Sequence, residues 1–313
     1  MRKLNRNYHL TIQVLSKAQE EEIAAATAAG ETELLSKLLT APGREQIEIS
    51  LPFTMSFSIE RNAAATANTA RITLLNLSED TRRKIYKDKH TTLQYKGIEL
   101  RAGYGEDVKT LPLIFKGNIK QAYNERVGTE YETRIEAYDG GFAFLNGYTA
   151  QSFNAGTPTN QVLDSLIKTL PGVNKGIVGD FNNKTLRGNA FSGPTTDLLQ
   201  TMTEGNFFID NEKAYCLKEE ECFVGNVQVI SSESGLLGSP QREETLLTFR
   251  IIFEPRVLIG QIVELVSETE KHFNGLYKVI AFTHSGTISP VVSGNCTTNV
   301  SLYYGTKQLV VRK

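Results

Sequence analysis

The sequence predicts a mainly β protein in which two β-rich segments flank a smaller α+β segment. Three observations predict this fold class. Long stretches on both sides of the middle alternate between apolar and polar residues, residues 150–224 combine helical spacing with a hairpin pattern, and Gly and Pro punctuate the β-rich parts. Hydrophobic residues make up 40% of the 313 residues, which is enough for real cores.

The clearest strand pattern covers residues 47–61. Every odd position from 47 to 59 is apolar, and every even position is polar or proline. A strand sends these two sets to opposite faces, so one face belongs to a core. Pro52 cannot donate a ladder hydrogen bond, which predicts a sheet edge, a bulge or a break in pairing near it. Residues 8–15 alternate in the same way, and we expect them to pair with this stretch.

Residues 17–43, between these two strands, predict a helical insertion. They are rich in Ala, Glu and Leu, with Gly30 placed to end one helix and Pro42-Gly43 placed to end another. Their apolar helical faces are formed by Ile23, Leu34, Leu35, Leu38 and Leu39. We expect these side chains to form an interface with a neighbouring subunit or another protein, with packing on the chain's own β module as the alternative.

The rest of the first β module, residues 1–148, contains a strand at 70–77 and a short helix. Ser78 is a suitable N-cap, with acidic residues in the first turn and basic residues later. Residues 113–123 and 130–138 both alternate, and Gly128 lies in the connection between them. This pattern predicts an antiparallel hairpin.

Residues 149–225 predict a small α+β domain, and residues 226–313 predict a second β module. A helix follows Thr157-Pro158 and ends before Pro171-Gly172, a second follows Pro194, and a hairpin turns at residues 210–213. In the second β module, strand patterns cover residues 245–253, 262–266, 276–284 and 297–304.

Charge and cysteine content exclude several classes of protein. The 34 basic and 35 acidic residues are well mixed and give a net charge of −1, so we expect neither a membrane nor a sequence-specific nucleic acid as partner. Cys216, Cys222 and Cys296 form no disulfide framework or zinc motif, which favours a reducing compartment. The basic start lacks a continuous apolar run, so we expect folding in the cytoplasm.

The sequence supplies no assembled catalytic, cofactor or metal motif. Its four histidines are His9, His90, His272 and His284, and none has a metal-binding or catalytic spacing. No Gly-x-Ser-x-Gly motif and no pair of carboxylates at a hydrolase spacing is present. We therefore predict no catalytic residues, no cofactor and no metal site.

Several segments together resemble the baseplate hub proteins of contractile-tailed phages, including the late-control D type and the hub half of bacterial secretion spikes. The segments are residues 57–61 (FSIER), 70–78 (ARITLLNLS), 81–82 (TR), 100–104 (LRAGY), 114–119 (IFKGNI) and 234–240 (SGLLGSP). Each alone is a strand or a turn, but their succession follows the family over about residues 50–300.

The resemblance implies two tube-like β-barrel domains separated by the small α+β domain, with the helical insertion in the first barrel. It implies a non-catalytic structural hub, a homotrimer, in the virion tail baseplate, assembled in the host bacterial cytoplasm. The implied partners are the central spike protein, the tail tube or a tube-initiator protein, other baseplate proteins and the tape-measure protein. Because no β-helix or lysozyme-like extension follows, we expect the spike to be a separate protein.

Two other functions are open from the residues alone. A tail-tip cell-wall hydrolase would cleave purified cell walls, and a single carboxylate substitution would abolish the cleavage. A host-carbohydrate-binding β module would bind glycans through exposed aromatic side chains. The two β modules favour the hub, because two barrels standing side by side would let three chains form a ring of six similar units.

Overall fold

The computed structural model describes residues 5–40, 45–64, 66–90, 95–181, 187–291, 294–304 and 309–312. Its elements in chain order are β1 (Arg6–Val14), α1 (Lys17–Ala29), α2 (Thr32–Thr40), β2 (Glu45–Ser50), β3 (Met55–Asn62), β4 (Thr69–Leu75), α3 (Glu79–Ile85), β5 (Gly97–Tyr104), β6 (Leu113–Val127), β7 (Glu130–Tyr138), α4 (Gly141–Asn146), β8 (Tyr148–Phe153), α5 (Thr159–Ile167), β9 (Asn174–Val178), β10 (Asn189–Pro194), α6 (Thr195–Met202), β11 (Phe207–Asp210), β12 (Lys213–Cys216), β13 (Glu221–Ile230), β14 (Leu236–Glu243), β15 (Leu246–Ile252), β16 (Gln261–Leu265), β17 (Gly275–Ile288), β18 (Thr297–Tyr303) and β19 (Val310–Arg312).

The fold is mainly β, and its two β modules share one continuous sheet. The strand order is β14-β15-β18-β17-β3-β4-β7-β6-β5-β1-β2, with β13, β16 and β19 branching from β17. Two tube-like β-barrels were predicted, but the strand pairs of the described residues close no barrel and form one branched sheet with ends at β2, β14 and β19. The two modules do not separate because β3 of the first pairs directly with β17 of the second.

Strand β17 makes this connection because it is long enough to pair with two neighbours along one edge. Its first residues pair with β16, from Gly275 to Lys278, and its last residues pair with β3, from Ala281 to Ile288. Its other edge pairs with β18. One strand therefore carries ladder hydrogen bonds of both modules, and a rigid backbone connection results.

The long alternating stretch of residues 47–61 is divided into β2 and β3. The chain turns at Leu51 and Pro52, where Phe53 N–H donates to the carbonyl of Ser50 at 3.2 Å. The break lies at the proline as predicted, and β2 becomes an edge strand that pairs with β1 alone among the described strands. Met55, Phe57 and Ile59 of β3 remain on the buried face, because the alternation continues beyond the turn.

The helices between β1 and β2 lie where the sequence predicts them. Ser16 and Gln19 form a capping box at the start of α1, and Gly30 ends this helix with φ +68°. The predicted stop at Pro42-Gly43 lies outside the described residues. Ser78 caps α3 by accepting a hydrogen bond from Thr81 N–H at 3.2 Å, also as predicted.

The middle of the chain forms a small α+β module. Helices α5 and α6 cover a sheet of order β11-β12-β9, and β8 pairs with β10 in a separate ribbon. The apolar side chains of α5, including Val162 and Leu166, are fully buried in this core. The described helices include none long and apolar enough to span a membrane.

Candidate functional site

The three modules meet at a buried polar cluster around the β11–β12 hairpin. Its two turn residues, Asn211 and Glu212, have φ values of +51° and +56°, the pair of left-handed conformations that a two-residue type I′ turn requires. The turn points at the first β module. Aromatic side chains behind it, Phe208 and Tyr215, pack into the core of the second β module.

Arg61, at the end of β3, holds this turn. Its side chain is buried, and Nη1 donates to Asp210 Oδ1 at 2.8 Å while Nη2 donates to Asn211 Oδ1 at 2.8 Å. Nη2 also donates to the carbonyl of Ile114. The guanidinium lies 5.6 Å from the ring centroid of Phe282 on β17. One arginine therefore contacts all three modules, and its charge is shared by a carboxylate and several neutral acceptors.

Asp139 holds the same turn from the other side. Its carboxylate accepts hydrogen bonds from the backbone N–H groups of Asn211 and Glu212, the latter at 2.8 Å. Burial raises the pKa of Asp139, and the neighbouring carboxylate of Asp210 adds to the rise. Burial likewise raises the pKa of Asp210, while Arg61 opposes the rise. The cluster thus depends on Arg61 to keep two buried acids close together.

Removing the Arg61 charge should destabilise the protein strongly. We expect Arg61→Met to lower the free energy of unfolding by about 3–5 kcal/mol, because Asp210 is left as an unpaired buried charge. Arg71→Met removes an exposed pair with Glu60 and should cost only about 0–1 kcal/mol. Urea unfolding measures both, and a second substitution, Asp210→Asn, should restore part of the loss. Equal losses in the two single variants would contradict this account.

The five residues predicted to form a partner interface divide into two groups. Ile23, Leu35 and Leu39 are buried within the chain, in a cluster completed by Tyr95 and Phe142. The two rings of that cluster make an edge-to-face contact with centroids 5.7 Å apart. These three side chains thus pack within the chain itself, and an interface of the helices with a partner stays a prediction.

The other two interface candidates remain accessible. Leu38 is partly buried against the same cluster, and Leu34 is 39% exposed on α2. A partner could reach Leu34 without displacing the helix from its own module.

Two buried lysines lie beside this helical pair. Lys87 Nζ donates to the carbonyl of Ile119 at 2.6 Å, and Lys96 Nζ donates to the carbonyls of Lys84 and Tyr86, each at 2.7 Å. Burial and, to a smaller extent, the nearby charge of Lys96 lower the pKa of Lys87 to about 8, while Glu20 of α1 opposes the shift. Both ammonium groups are satisfied mainly by backbone carbonyls, including those at the end of α3.

The lowered pKa predicts a pH dependence of stability. Between pH 8 and about 10.5 the unfolded chain binds a proton that folded Lys87 has released, so stability should rise with pH. The free energy of unfolding of the wild type relative to Lys87→Met should rise by on the order of 2–3 kcal/mol over this range.

Lys84→Met provides the control. A hydrogen bond to Glu45 raises the pKa of this exposed lysine above 10.5, so its contribution to stability is constant below that pH and is lost only above it. Unfolding curves at pH 7–10.5 should give a rising difference for Lys87 and a flat difference for Lys84, and a flat difference for Lys87 as well would show that its ammonium is not desolvated.

The histidines serve packing or surface contacts. His284 is buried, with Nδ1 2.8 Å from Thr298 Oγ1, and burial followed by the charge of Arg61 lowers its pKa well below the usual value. His9 lies 3.7 Å from Glu48 on the neighbouring edge strand. Within the described ranges, no group of three or more His, Cys, Asp or Glu residues could hold a metal ion.

The fold is that of phage tail and type VI secretion proteins. The 43 kDa tail protein of prophage MuSo2 from Shewanella oneidensis is similar with a TM-score of 0.53 and 9% identity over 82% of this chain and 93% of that chain. The E. coli c3393 protein, a component of the type VI secretion system, is similar with a TM-score of 0.54 and 7% identity over 84% of this chain and 76% of that chain. A chain of the half-lidded Francisella PdpA–VgrG complex is similar with a TM-score of 0.54 and 7% identity over 99% of this chain and 60% of that chain.

The sequence defines the family within this class. The model of the family described as baseplate hub gp41 matches residues 34–286, which is most of the chain, so the protein belongs to this family. No curated protein matches the sequence. The chain is therefore a structural hub of a phage tail baseplate, as the resemblance predicted.

Proposed function

We propose that three copies of this chain form a ring that joins the tail tube to the central spike. The observation that carries this proposal is the family match over residues 34–286. Two of the similar structures support a spike partner. The E. coli protein is described as similar to the T4 tail proteins gp27 and gp5, and the Francisella chain belongs to a PdpA–VgrG complex.

The direct pairing of the two β modules supports the ring. Each chain presents two β modules joined through eight residue pairs between β3 and β17. In the proposed assembly each module acts as one tube-like unit, so three chains supply six similar units. Such a ring meets a sixfold tube on one side and a threefold spike on the other.

The proposed divisions of the chain follow its role in this ring. Residues 1–148 form the first tube-like domain with the helical insertion at 17–43, residues 149–225 form the small domain, and residues 226–313 form the second tube-like domain. The hub performs no catalysis. Its further partners are the tube or a tube-initiator protein, other baseplate proteins and the tape-measure protein, and it is assembled in the host cytoplasm.

The copy number tests the proposed function. Light scattering of the purified chain mixed with its spike protein should give three copies of this chain per spike trimer, because the ring and the spike share a threefold axis. The chain alone is expected to remain monomeric, since its balanced charge does not force association. A stable twofold or sixfold ratio would overturn the ring model.

The exposed side of α2 is proposed as a contact with a neighbouring subunit or baseplate protein. Leu34→Glu should leave the melting temperature unchanged, because Leu34 lies outside the buried cluster. It should weaken assembly by about tenfold, because it replaces an apolar contact in the interface by a buried charge. Leu145→Glu, at a leucine that is 74% exposed on α4, is the matched control. Equal assembly of both variants would remove α2 from the interface.

A further inference from the structure

The distal part of β6, residues 123–127, has a free edge on the side away from β7. Strand β5 pairs with β6 only from Leu113 to Asn118, and Lys87 then pairs with Ala122 as an isolated bridge. Beyond Ala122, β6 pairs with β7 alone among the described strands. One edge of residues 123–127 therefore lies open.

The register shows which backbone groups point to this edge. Ala122 exchanges hydrogen bonds with Lys87 on the side away from β7, at 2.9 and 3.0 Å. Backbone groups alternate in direction along a strand, so those of Asn124 and Arg126 point to the same side. On β7, the N–H and carbonyl of Tyr131 bond to Asn76 instead of β6, which agrees with this register.

An exposed tyrosine that two arginines contact lies on the neighbouring strand, β7, opposite Arg126. Tyr131 is 41% exposed, and the guanidinium carbons of Arg82 and Arg126 lie 3.9 and 5.9 Å from its ring centroid. Arg82 belongs to α3 and Arg126 to β6, so two separate elements turn their guanidinium groups to one ring. Nε of Arg126 donates to the carbonyl of Gly128 at 3.3 Å, and contact with a ring leaves the remaining N–H groups of the two guanidinium groups available.

These two arginines differ from their neighbours in having no acidic partner. In the same region Arg83 pairs with Glu79 at 3.2 Å, and Arg134 pairs with Glu132 at 2.7 Å. No described carboxylate pairs with Arg82 or Arg126. Two guanidinium groups aimed at one exposed ring thus remain available for a carboxylate, which they would bind through charge-assisted hydrogen bonds.

The surrounding charge decides between an acidic protein segment and a nucleic acid. Helix α3 and residues 124–134 together carry five basic and five acidic residues. A nucleic acid needs a continuous positive field along its phosphates, which this neutral region does not provide. A single carboxylate on an extended peptide needs only the two arginines and the free backbone edge.

We propose that an extended segment of a partner baseplate protein pairs with the β6 edge at Asn124 and Arg126 and places an Asp or Glu carboxylate against Arg82 and Arg126. The inference rests on the proposed function, because it assigns one surface of the hub to a protein partner. Backbone pairing supplies the affinity, and the two arginines select an acidic segment over a neutral or basic one.

Photocross-linking in assembled tail particles tests this site. Tyr86 is 52% exposed and caps the C-terminus of α3, four residues after Arg82, so a benzoylphenylalanine at this position replaces one exposed ring by another. Mass spectrometry of the cross-linked product should identify a peptide of a second baseplate protein that contains Asp or Glu. The yield should fall by about tenfold with Arg126→Glu and stay unchanged with Arg83→Glu, because only the former arginine faces the site.

Two measurements keep the result interpretable. The melting temperature of purified Arg126→Glu should match the wild type, and Arg126→Gln, which removes the charge without reversing it, replaces this variant if it does not fold. Cross-links to another copy of this chain, to nucleic acid or to nothing overturn the proposal, as does an equal yield from the Arg126 and Arg83 variants. If the particles contain three hubs per spike trimer and still give one of these contradicting results, only the proposed β6 site is refuted. A different copy number refutes the ring itself.

Discussion

The antiparallel pairing of β3 with β17 is the constraint on which the rest of the structure depends. It connects residues 55–62 with residues 281–288, so the two β modules cannot rotate against each other without breaking ladder hydrogen bonds. The pairing also places Arg61 beside Phe282, where the arginine reaches the hairpin of the α+β module. A backbone connection and a buried charge thus fix three modules in one arrangement, together with the apolar contacts that the cores share across the modules.

This way of joining modules leaves the other face of the sheet free. The core of the first module extends to Phe253, Ile288 and Cys296 of the second, all on the buried side. On the opposite side, hydroxyl groups meet across the junction, with Ser56 Oγ 2.9 Å from Thr287 Oγ1 and Thr54 Oγ1 2.8 Å from Ser289 Oγ. Such pairs satisfy these hydroxyl groups without a covering layer of other residues, so this side of the junction can remain in contact with water.

The sequence predicts local elements well because their causes are local. Alternation defines β3 and the β6–β7 hairpin, Ser78 and Gly30 define helix ends, and the residues before Lys213 define the β11–β12 turn. The single sheet was not predictable in this way, since the partner of β17 depends on a segment more than two hundred residues away. Arg61 left a signal that was missed. It occupies an odd, core-facing position at the end of an apolar alternation, where a charge must find a buried partner.

The near-zero net charge of the chain has a consequence for how it selects partners. With 34 basic and 35 acidic residues, long-range attraction cannot distinguish one baseplate protein from another. Selection of a partner must then come from short-range groups that lack a partner in the free chain. The open edge of β6 and an arginine without an acidic partner are the clearest examples. A hub that displays such groups only locally gains affinity only where a partner supplies their complement, so each contact selects its own partner.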